Sequence, residues 1–376
     1  VGVAATDVGP RMSEALGATA LTAEDLTTPG DAPAASLVSD QDVAVVLFTS
    51  GTTGVPKPIP LTHEILTRRV RSFAAPVDAS ADPSVAIVCV PFHHVAGLIG
   101  VLVGLAGGST AVLQPRFDAG EWLRLVERHR VQRAFLVPAM LHRILDHPGF
   151  AGADLDALQM ITTGAAPAGR ALIERASAAM PNVAFINVFG QTETLGAVTA
   201  LGPDDLRAGK AGSVGRPLPD VEIRIVDPAT GEEVPDGEAG EFWVRAPHTT
   251  SPGWVRSGDI VRRDAEGYLF AVGRLSDVIN RGGEKIDPTE VEAALTAHVA
   301  IEAAAVCGVP DAELGERVGA VVVAREPVDV DDLRNWCRTR LAAYKVPERL
   351  AFVDEIPLTE LGKISRKDLR AILQGD

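Results

Sequence analysis

Cysteine is scarce in this sequence. Among 376 residues there are three, Cys89, Cys307 and Cys337, widely spaced and without a C-x-x-C pair. That argues against a disulfide scaffold or a zinc knuckle and fits a reducing cytoplasm. The eight histidines form no H-E-x-x-H pattern, so the common zinc-hydrolase signature is absent. No basic segment leads into an apolar signal core, and the first residue is Val1, so the numbering is expected to start inside a longer chain. Basic residues are the minority: 35 against 50 acidic ones, or 35 − 50 = −15. A surface that negative repels phosphate backbones and disfavours nucleic acid as a partner, while leaving room for one local pocket that holds a small anion. Long hydrophobic runs are also missing. Pro83 to Pro115 carries no formal charge, but its apolar part, Val95 to Gly108, is broken by glycines and is short for a membrane span. It is read as buried core.

What remains is ordinary globular material, 46% hydrophobic and 23% charged, and long enough for two domains. After a Pro/Ala/Ser linker near Pro29 to Ser39, a buried strand is expected at Val43 to Phe48. Strands at Ser84–Val90, Arg133–Val137, Gln159–Thr163 and Val183–Phe189 then alternate with helices at Glu121–Arg130, Ala139–Asp146 and Gly169–Ala179. Such alternation implies right-handed βαβ crossovers and a parallel-rich sheet covered on both faces. From about Val221 the pattern changes to short strands, Val221–Val226, Gly240–Arg245 and Tyr268–Val272, which predict a small β-rich subdomain. The last hundred residues predict a small α+β domain, with helices at Pro288–Thr296 and Asp331–Leu341 and strands at Ala303–Val309 and Val318–Ala324.

Four constellations carry chemistry. In Thr49-Ser50-Gly51-Thr52-Thr53-Gly54-Val55-Pro56-Lys57, glycines let the backbone approach an anion, hydroxyls and amides bind phosphate oxygens, and Lys57 adds charge. It is not a Walker A loop, since Pro58 stands where Ser or Thr would ligate magnesium; a polar strand-to-helix turn explains the same residues. In Phe189-Gly190-Gln191-Thr192-Glu193-Thr194, at a strand's carboxyl end, an aromatic ring, a hydroxyl and a hard oxygen ligand fall where open α/β sheets bind ligands. A helix N-terminus would favour the same Thr and Glu. Ser257-Gly258-Asp259 with Gly273-Arg274 supplies a carboxylate for paired hydroxyls and a guanidinium for ribose or phosphate, or merely a β-turn. Gly282-Gly283 and Gly362-Lys363 read in isolation as surface loops.

Taken in order, FTSGTTGVPK, PFHHVAGL, TTGAAP, FGQTET, SGD, GRLSDVINRGGEKIDPTEVE and LTELGKISR resemble the core motifs of the adenylate-forming enzymes, the superfamily of acyl-CoA synthetases, peptide-synthetase adenylation domains and luciferases. The resemblance runs from about Val43 nearly to the end. FHHVAGLIG and INRGGEKI look most like the acyl-CoA synthetase branch, and faintly like oxalate–CoA ligases.

The resemblance implies a large adenylation domain over 1–275, N-terminally incomplete, and a small mobile C-terminal domain over 276–376 with its hinge near Ser276. It implies ATP-dependent activation of a carboxylic acid to an acyl-adenylate, with Mg2+ as metal, then transfer to the thiol of coenzyme A. By matching position, Thr49, Ser50, Gly51, Thr52, Thr53, Gly54 and Lys57 hold the β- and γ-phosphates. Gly164, Ala165, Ala166, Pro167 and Phe189 line the adenine pocket, and Gly190 and Gln191 belong to the nucleotide site. Thr192 meets the α-phosphate, Glu193 the magnesium, and Asp259 and Arg274 the ribose. Lys363 bridges the carboxylate and α-phosphate oxygens, His94 lies between acyl pocket and thiol tunnel, and Gly282 and Gly283 open that tunnel. Ser276 replaces a usual Asp or Lys, Phe189 a usual Tyr, and the segment between Arg245 and Trp254 is shorter than usual. No Asp occupies PFHHVAG to pair with a substrate amine, which disfavours amino acids. A carrier protein's pantetheine arm instead of coenzyme A, and a non-catalytic nucleotide-binding homologue, remain as alternatives.

Overall fold

The computed structural model describes residues 2–3, 20–21, 38–49, 57–74, 83–166, 168–359 and 364–375. The chain divides into two units, 1–42 and 43–376. In the first, β1 (Gly2–Val3) pairs in parallel with β2 (Ala20–Leu21).

The second unit opens with an antiparallel hairpin, β3 (Val43–Thr49) and β4 (Lys57–Thr62), followed by helix α1 (His63–Phe73). Thr62 caps α1 by accepting from the Ile65 amide, as a threonine before an apolar-periodic segment should. Two expectations are corrected here. The Gly/Thr-rich segment joins two paired strands rather than a strand to a helix. The strand before it is not buried: Leu47 is, but Val43, Val46 and Phe48 are exposed, because β3 pairs only with β4 and alternates its sides.

The main layer follows. It consists of β5 (Val85–Val88), α2 (Val95–Ala106), β6 (Thr110–Leu113), α3 (Ala119–His129), β7 (Arg133–Leu136), α4 (Pro138–Asp146), β8 (Met160–Thr163), α5 (Arg170–Ala179), β9 (Ala184–Gln191), β10 (Gly196–Leu201), the short α6 (Pro203–Arg207) and β11 (Arg216–Pro217). The sheet order is β11-β10-β9-β8-β7-β5-β6. Strands β6, β5, β7, β8 and β9 run parallel, and β10 and β11 join antiparallel. Trp122, Leu136, Leu141, Ile144 and Ile161 are fully buried between this sheet and its helices. The apolar run of α2 is only partly core. Gly97 and Ile99 are buried, whereas Leu105 is 64% exposed. Among the described residues no helix is long and apolar enough to cross a membrane.

The β-subdomain is an antiparallel meander of β12 (Glu222–Val226), β13 (Ala239–Arg245), β14 (Val255–Arg263) and β15 (Leu269–Arg274). Val244 pairs with Val255, so the short segment before Trp254 is the β13–β14 connection. The C-terminal part holds β16 (Ile279–Arg281), β17 (Glu284–Ile286), α7 (Pro288–Thr296), β18 (Ile301–Asp311), β19 (Gly315–Ala324), α8 (Val330–Arg338), β20 (Arg349–Phe352) and α9 (Arg366–Gln374). Its sheet order is β17-β16-β19-β18, with β20 parallel to β19. Among the described residues, the buried clusters up to Leu269 and those from Ile279 onward share no member.

Candidate active site

The carboxyl ends of β8 and β9 lie side by side, since Thr163 pairs with Asn187. A Cβ on Gly164 would stand 2.9 Å from the Val188 carbonyl oxygen, so only glycine permits this closeness. One on Gly190 would run into the Gly196 carbonyl. Ala165 follows in the left-handed region at φ +66°. Loops at the ends of parallel strands form the ligand crevice of open α/β sheets, above all where the strand order reverses. Here it reverses at β5, flanked by β6 on one side and β7 on the other. The loop after β5 carries Phe92, His93 and His94, and His94 is the N-cap residue of α2.

Strand β9 runs on through Phe189, Gly190 and Gln191 into a single 3₁₀ turn, Thr192–Thr194. The expected helix N-terminus is therefore absent; the chain instead reverses into β10. The Thr194 hydroxyl pins the reversal by donating to the Gly196 carbonyl (2.8 Å) and accepting from the Gln191 amide (3.0 Å). Leu195 (φ +52°) and Gly196 (φ +93°) complete it in left-handed conformation.

Asp259 on β14 faces Arg274 on β15. The Arg274 Nε donates to Asp259 Oδ1 at 2.6 Å, and the carboxylate is buried while the guanidinium is about half exposed (46%). Burial pushes the Arg274 guanidinium down, but Asp259 first, and then Asp277 and Glu193, outweigh it and leave the group raised. Arg274 thus pairs with Asp259, and the second and third constellations converge where Gln191 and Thr194 meet Ser257 and Asp259. Between them, Phe189, Gly190, Gln191, Thr194, Ser257 and Asp259 line a narrow crevice. Phe189 packs on Phe242 with ring centroids 5.8 Å apart.

Thr49 and Lys57 are opposed in the β3–β4 ladder, which brings together the two ends of the Gly/Thr-rich segment. Ser50, Gly51, Thr52, Thr53 and Gly54, like Pro167 and Lys363, lie outside the described residues. The segment with Lys363 is closed in the same manner, by a bridge between Leu358 and Ile364. Gly282 and Gly283 form the two-residue β16–β17 turn, both at positive φ (+59° and +93°). A hairpin turn of this kind requires that conformation, which glycine adopts without strain. The Gly282 amide donates to the Leu314 carbonyl at 2.7 Å, and the space beside the Gly283 Cα is open. The His93 and His94 rings are in contact but tilted by 49°, with centroids 4.2 Å apart.

Two supporting groups escape sequence reasoning. Glu241 on β13 is buried and accepts from Trp243 Nε1 (2.9 Å) and Arg256 Nη2 (2.8 Å), next to the Ser257–Asp259 segment. Burial alone would raise its carboxyl, but the hydrogen bonds from Arg256 and Trp243 hold it below the usual range. Arg69 on α1 is buried against His248 of the β13–β14 connection, Nη1 to Nε2 at 3.1 Å. Burial pulls the Arg69 guanidinium down to about 9. Burial, then the Arg69 charge, pulls the His248 imidazole down to about 4. The available signal for Arg69 was its place in the apolar stripe with Leu66 and Val70, both buried.

The side chains around this crevice are of the kinds that bind a nucleotide, although the crevice as it stands is too narrow to admit one. The side-chain nitrogen of Gln191 is buried there with no hydrogen-bond partner among the described residues, an orphaned donor that a ligand acceptor would satisfy. The Asp259–Arg274 pair and Glu193 add the groups for ribose, phosphate and a hard cation.

Comparison with known proteins agrees. The AMP-binding enzyme family matches residues 4–253, and its C-terminal domain matches residues 290–363. Feruloyl-CoA synthase of an Amycolatopsis species is 38% identical over 365 residues, covering 93% of this chain and 73% of that protein. Indoleacetate–CoA ligase of Aromatoleum aromaticum is 35% identical over 366 residues, covering 93% and 71%. Among solved structures, o-succinylbenzoate CoA synthetase of Bacillus subtilis, in complex with its acyl-adenylate, superposes with a TM-score of 0.80 at 27% identity, covering 98% of this chain and 77% of that one. With the ordered motifs, the convergent Asp259, Arg274 and Glu193 and these matches together, the chain belongs to the AMP-binding enzyme family.

Proposed function

We propose that this acid–thiol ligase activates an aromatic carboxylic acid with ATP, releases pyrophosphate and passes the acyl group to the thiol of coenzyme A. Membership of the family and its CoA-ligase relatives supports the two-step chemistry. The aromatic class is supported by relatives named for ferulate, indoleacetate and o-succinylbenzoate. The observation that carries the site reading is the buried Asp259 carboxylate, held by Arg274 at 2.6 Å beside Phe189, Gly190, Gln191 and Thr194. The reducing cytoplasm is part of the proposal and accords with three buried free cysteines.

Adenylation asks little of acids and bases, because pyrophosphate is a good leaving group; positioning and cationic stabilisation carry it. In this reading Asp259 accepts from the ribose hydroxyls while Arg274 fixes its orientation. Thr192 donates to the α-phosphate, and residues 49–54 with Lys57 hold the outer phosphates. Lys363 stabilises the charge that develops between carboxylate and α-phosphate. Glu193 would hold Mg2+, which when bound neutralises phosphate charge. The small domain, 276–376, turns about Ser276 so that Lys363 serves the first step and the Gly282-Gly283 turn the second. A panel of aryl, aliphatic and amino acids, scored by pyrophosphate release with and without coenzyme A, tests the proposal. Turnover of aryl acids with coenzyme A as acceptor is expected; release with amino acids alone would overturn it.

A further inference from the structure

Arg69 is 1% exposed, and among the described residues no carboxylate pairs with it. A buried guanidinium without an anion is costly, and a well-packed apolar side chain of similar volume is often as stable or more so. Its acceptors explain the arrangement. Nε donates to the Leu195 carbonyl at 2.8 Å and Nη2 to the Ala197 carbonyl, one on each side of Gly196. Nη1 meets His248 Nε2 at 3.1 Å, and the guanidinium lies 4.0 Å from the centroid of the Phe73 ring. Two residues past His248, Thr250 grips the Glu193 carbonyl twice, through its amide (3.1 Å) and its hydroxyl (3.0 Å). The carbonyls of residues 193, 195 and 197 are therefore all held from α1 and the β13–β14 connection. This turn needs holding, since Leu195 is a non-glycine residue in left-handed conformation. Helix α1 in turn follows directly on β4, whose first residue, Lys57, closes the Gly/Thr-rich segment.

We propose that Arg69 is a positioning residue for nucleotide activation, fixing the Thr192–Glu193 turn in register with the β3–β4 hairpin so that metal and phosphate ligands from the two segments meet one bound nucleotide. The proposal rests on the reading of Glu193 as the metal ligand. The test measures metal binding without turnover. Mn2+ is titrated by electron paramagnetic resonance into the full chain with α,β-methylene-ATP, alongside the rate of thioester formation from supplied acyl-adenylate. Groups that orient metal ligands are typically worth about 10–100-fold in metal affinity or activity. Arg69→Met is expected to weaken Mn2+ about tenfold and Arg69→Lys, which cannot fork across two carbonyls, about threefold. The transfer step should stay within about twofold. If Arg69→Met does not fold, Arg69→Lys and Thr250→Val decide, since both keep the buried volume. Glu193→Gln separates the two readings. If it weakens Mn2+ while the Arg69 and Thr250 variants bind as wild type, Arg69 is a core residue and this proposal fails alone. If Glu193→Gln leaves Mn2+ binding intact, the metal-ligand reading fails and takes the proposal with it.

Discussion

Replacing Asp259 by Asn gives the sharpest test of the nucleotide site, because the structure separates its local cost from its functional one. The carboxylate pairs with Arg274 at 2.6 Å, but that guanidinium side chain is 46% exposed. Solvent screens such a pair, so its loss should cost the fold about 0–1 kcal/mol, a fall of no more than about 1–2 °C in Tm for a chain of this size. The Asp259 amide keeps its own bond to the Ser257 hydroxyl (3.0 Å), and the isosteric side chain leaves the ladder register with Arg274 in place. Toward a ribose the account differs. A hydrogen bond to a charged group contributes about 1.5–3 kcal/mol net, which is roughly a ten- to hundredfold rise in KM for ATP. The assay is pyrophosphate release with ATP, 2′-deoxy-ATP and 3′-deoxy-ATP as alternative substrates. Wild type should discriminate against at least one deoxy analogue by about tenfold or more, and Asp259→Asn should compress that ratio toward one. A variant that melts many degrees lower yet keeps the wild-type ratio would refute the reasoning and make Asp259 a strand-stabilising residue.

The remaining predictions concern the two steps and the buried histidine. Lys363→Ala should slow adenylation by roughly a hundred- to a thousandfold while transferring supplied acyl-adenylate to coenzyme A at the normal rate; a normal adenylation rate removes Lys363 from the first step. Gly283→Asn tolerates the positive φ at which a leucine would be strained, so it places a side chain beside the expected thiol path without breaking the turn. It should accumulate acyl-adenylate and release little thioester, and free thioester release would count against the tunnel. His248 is protonated near its ordinary 6.5 when unfolded but only near about 4 when folded. Between those values the unfolded chain binds more protons, so stability is full above about pH 6.5 and falls as pH drops toward 4. Relative to His248→Gln, wild type should lose up to about 3 kcal/mol over that window in urea melts; parallel curves would show that the imidazole is protonated in the fold.

Much of the architecture was legible because periodicity reports burial. Leu136, Leu141, Ile144 and Ile161 lie on the elements whose alternation predicted the parallel sheet, and all are fully buried. Legibility failed where local geometry departs from the period. Strand β14 was missed, since Ser257-Gly258-Asp259 has turn residues and was read as a ligand-binding segment or a β-turn; Gly258 at φ +71° lets the strand continue through them. Strand β10 was missed because the reversal through Leu195 and Gly196 carries no short-range signature beyond one glycine. For Thr192 and Glu193 the alternative to a ligand site was a helix start, because threonine and glutamate are favoured there. The same preferences serve a 3₁₀ turn. The pairing of Asp259 with Arg274 was legible only through the ordered motifs; fifteen positions apart, nothing local joins them. Arg69 stood beside Arg68 and Arg71, and its place in the stripe with Leu66 and Val70 points it inward, but nothing local says that its acceptors are the Leu195 and Ala197 carbonyls.

The small sheet supplies a physical reason why the two steps would need two orientations. Along β18 and β19 side chains alternate between faces. Val306, Val318, Ala320 and Val322 join the cluster with Ile279 of β16, Ile286 of β17, Val291 of α7 and Leu333 of α8. Ala305, Cys307, Val309 and Val321 join the other, with Leu369 and Leu373 of α9. The hairpin that bears Gly282 and Gly283 is thus anchored in one face's core, and the helix that follows Lys363 in the opposite one. Arg366, at the start of that helix, ties it back to the first face through Glu292 of α7 (3.1 Å) and the Val306 carbonyl. Groups fastened to opposite faces of one rigid sheet do not readily converge on the same phosphate and thioester centre at once. Rotation of the whole sheet about the segment that begins at Ser276 satisfies both without remodelling either core, and each cluster stays intact as the sheet turns. The 3₁₀ turn at Leu275–Asp277 directly follows Arg274, so the proposed pivot at Ser276 is two residues from the proposed ribose partner. A rotation there leaves Arg274 on its ladder with Asp259 and moves only what lies beyond it.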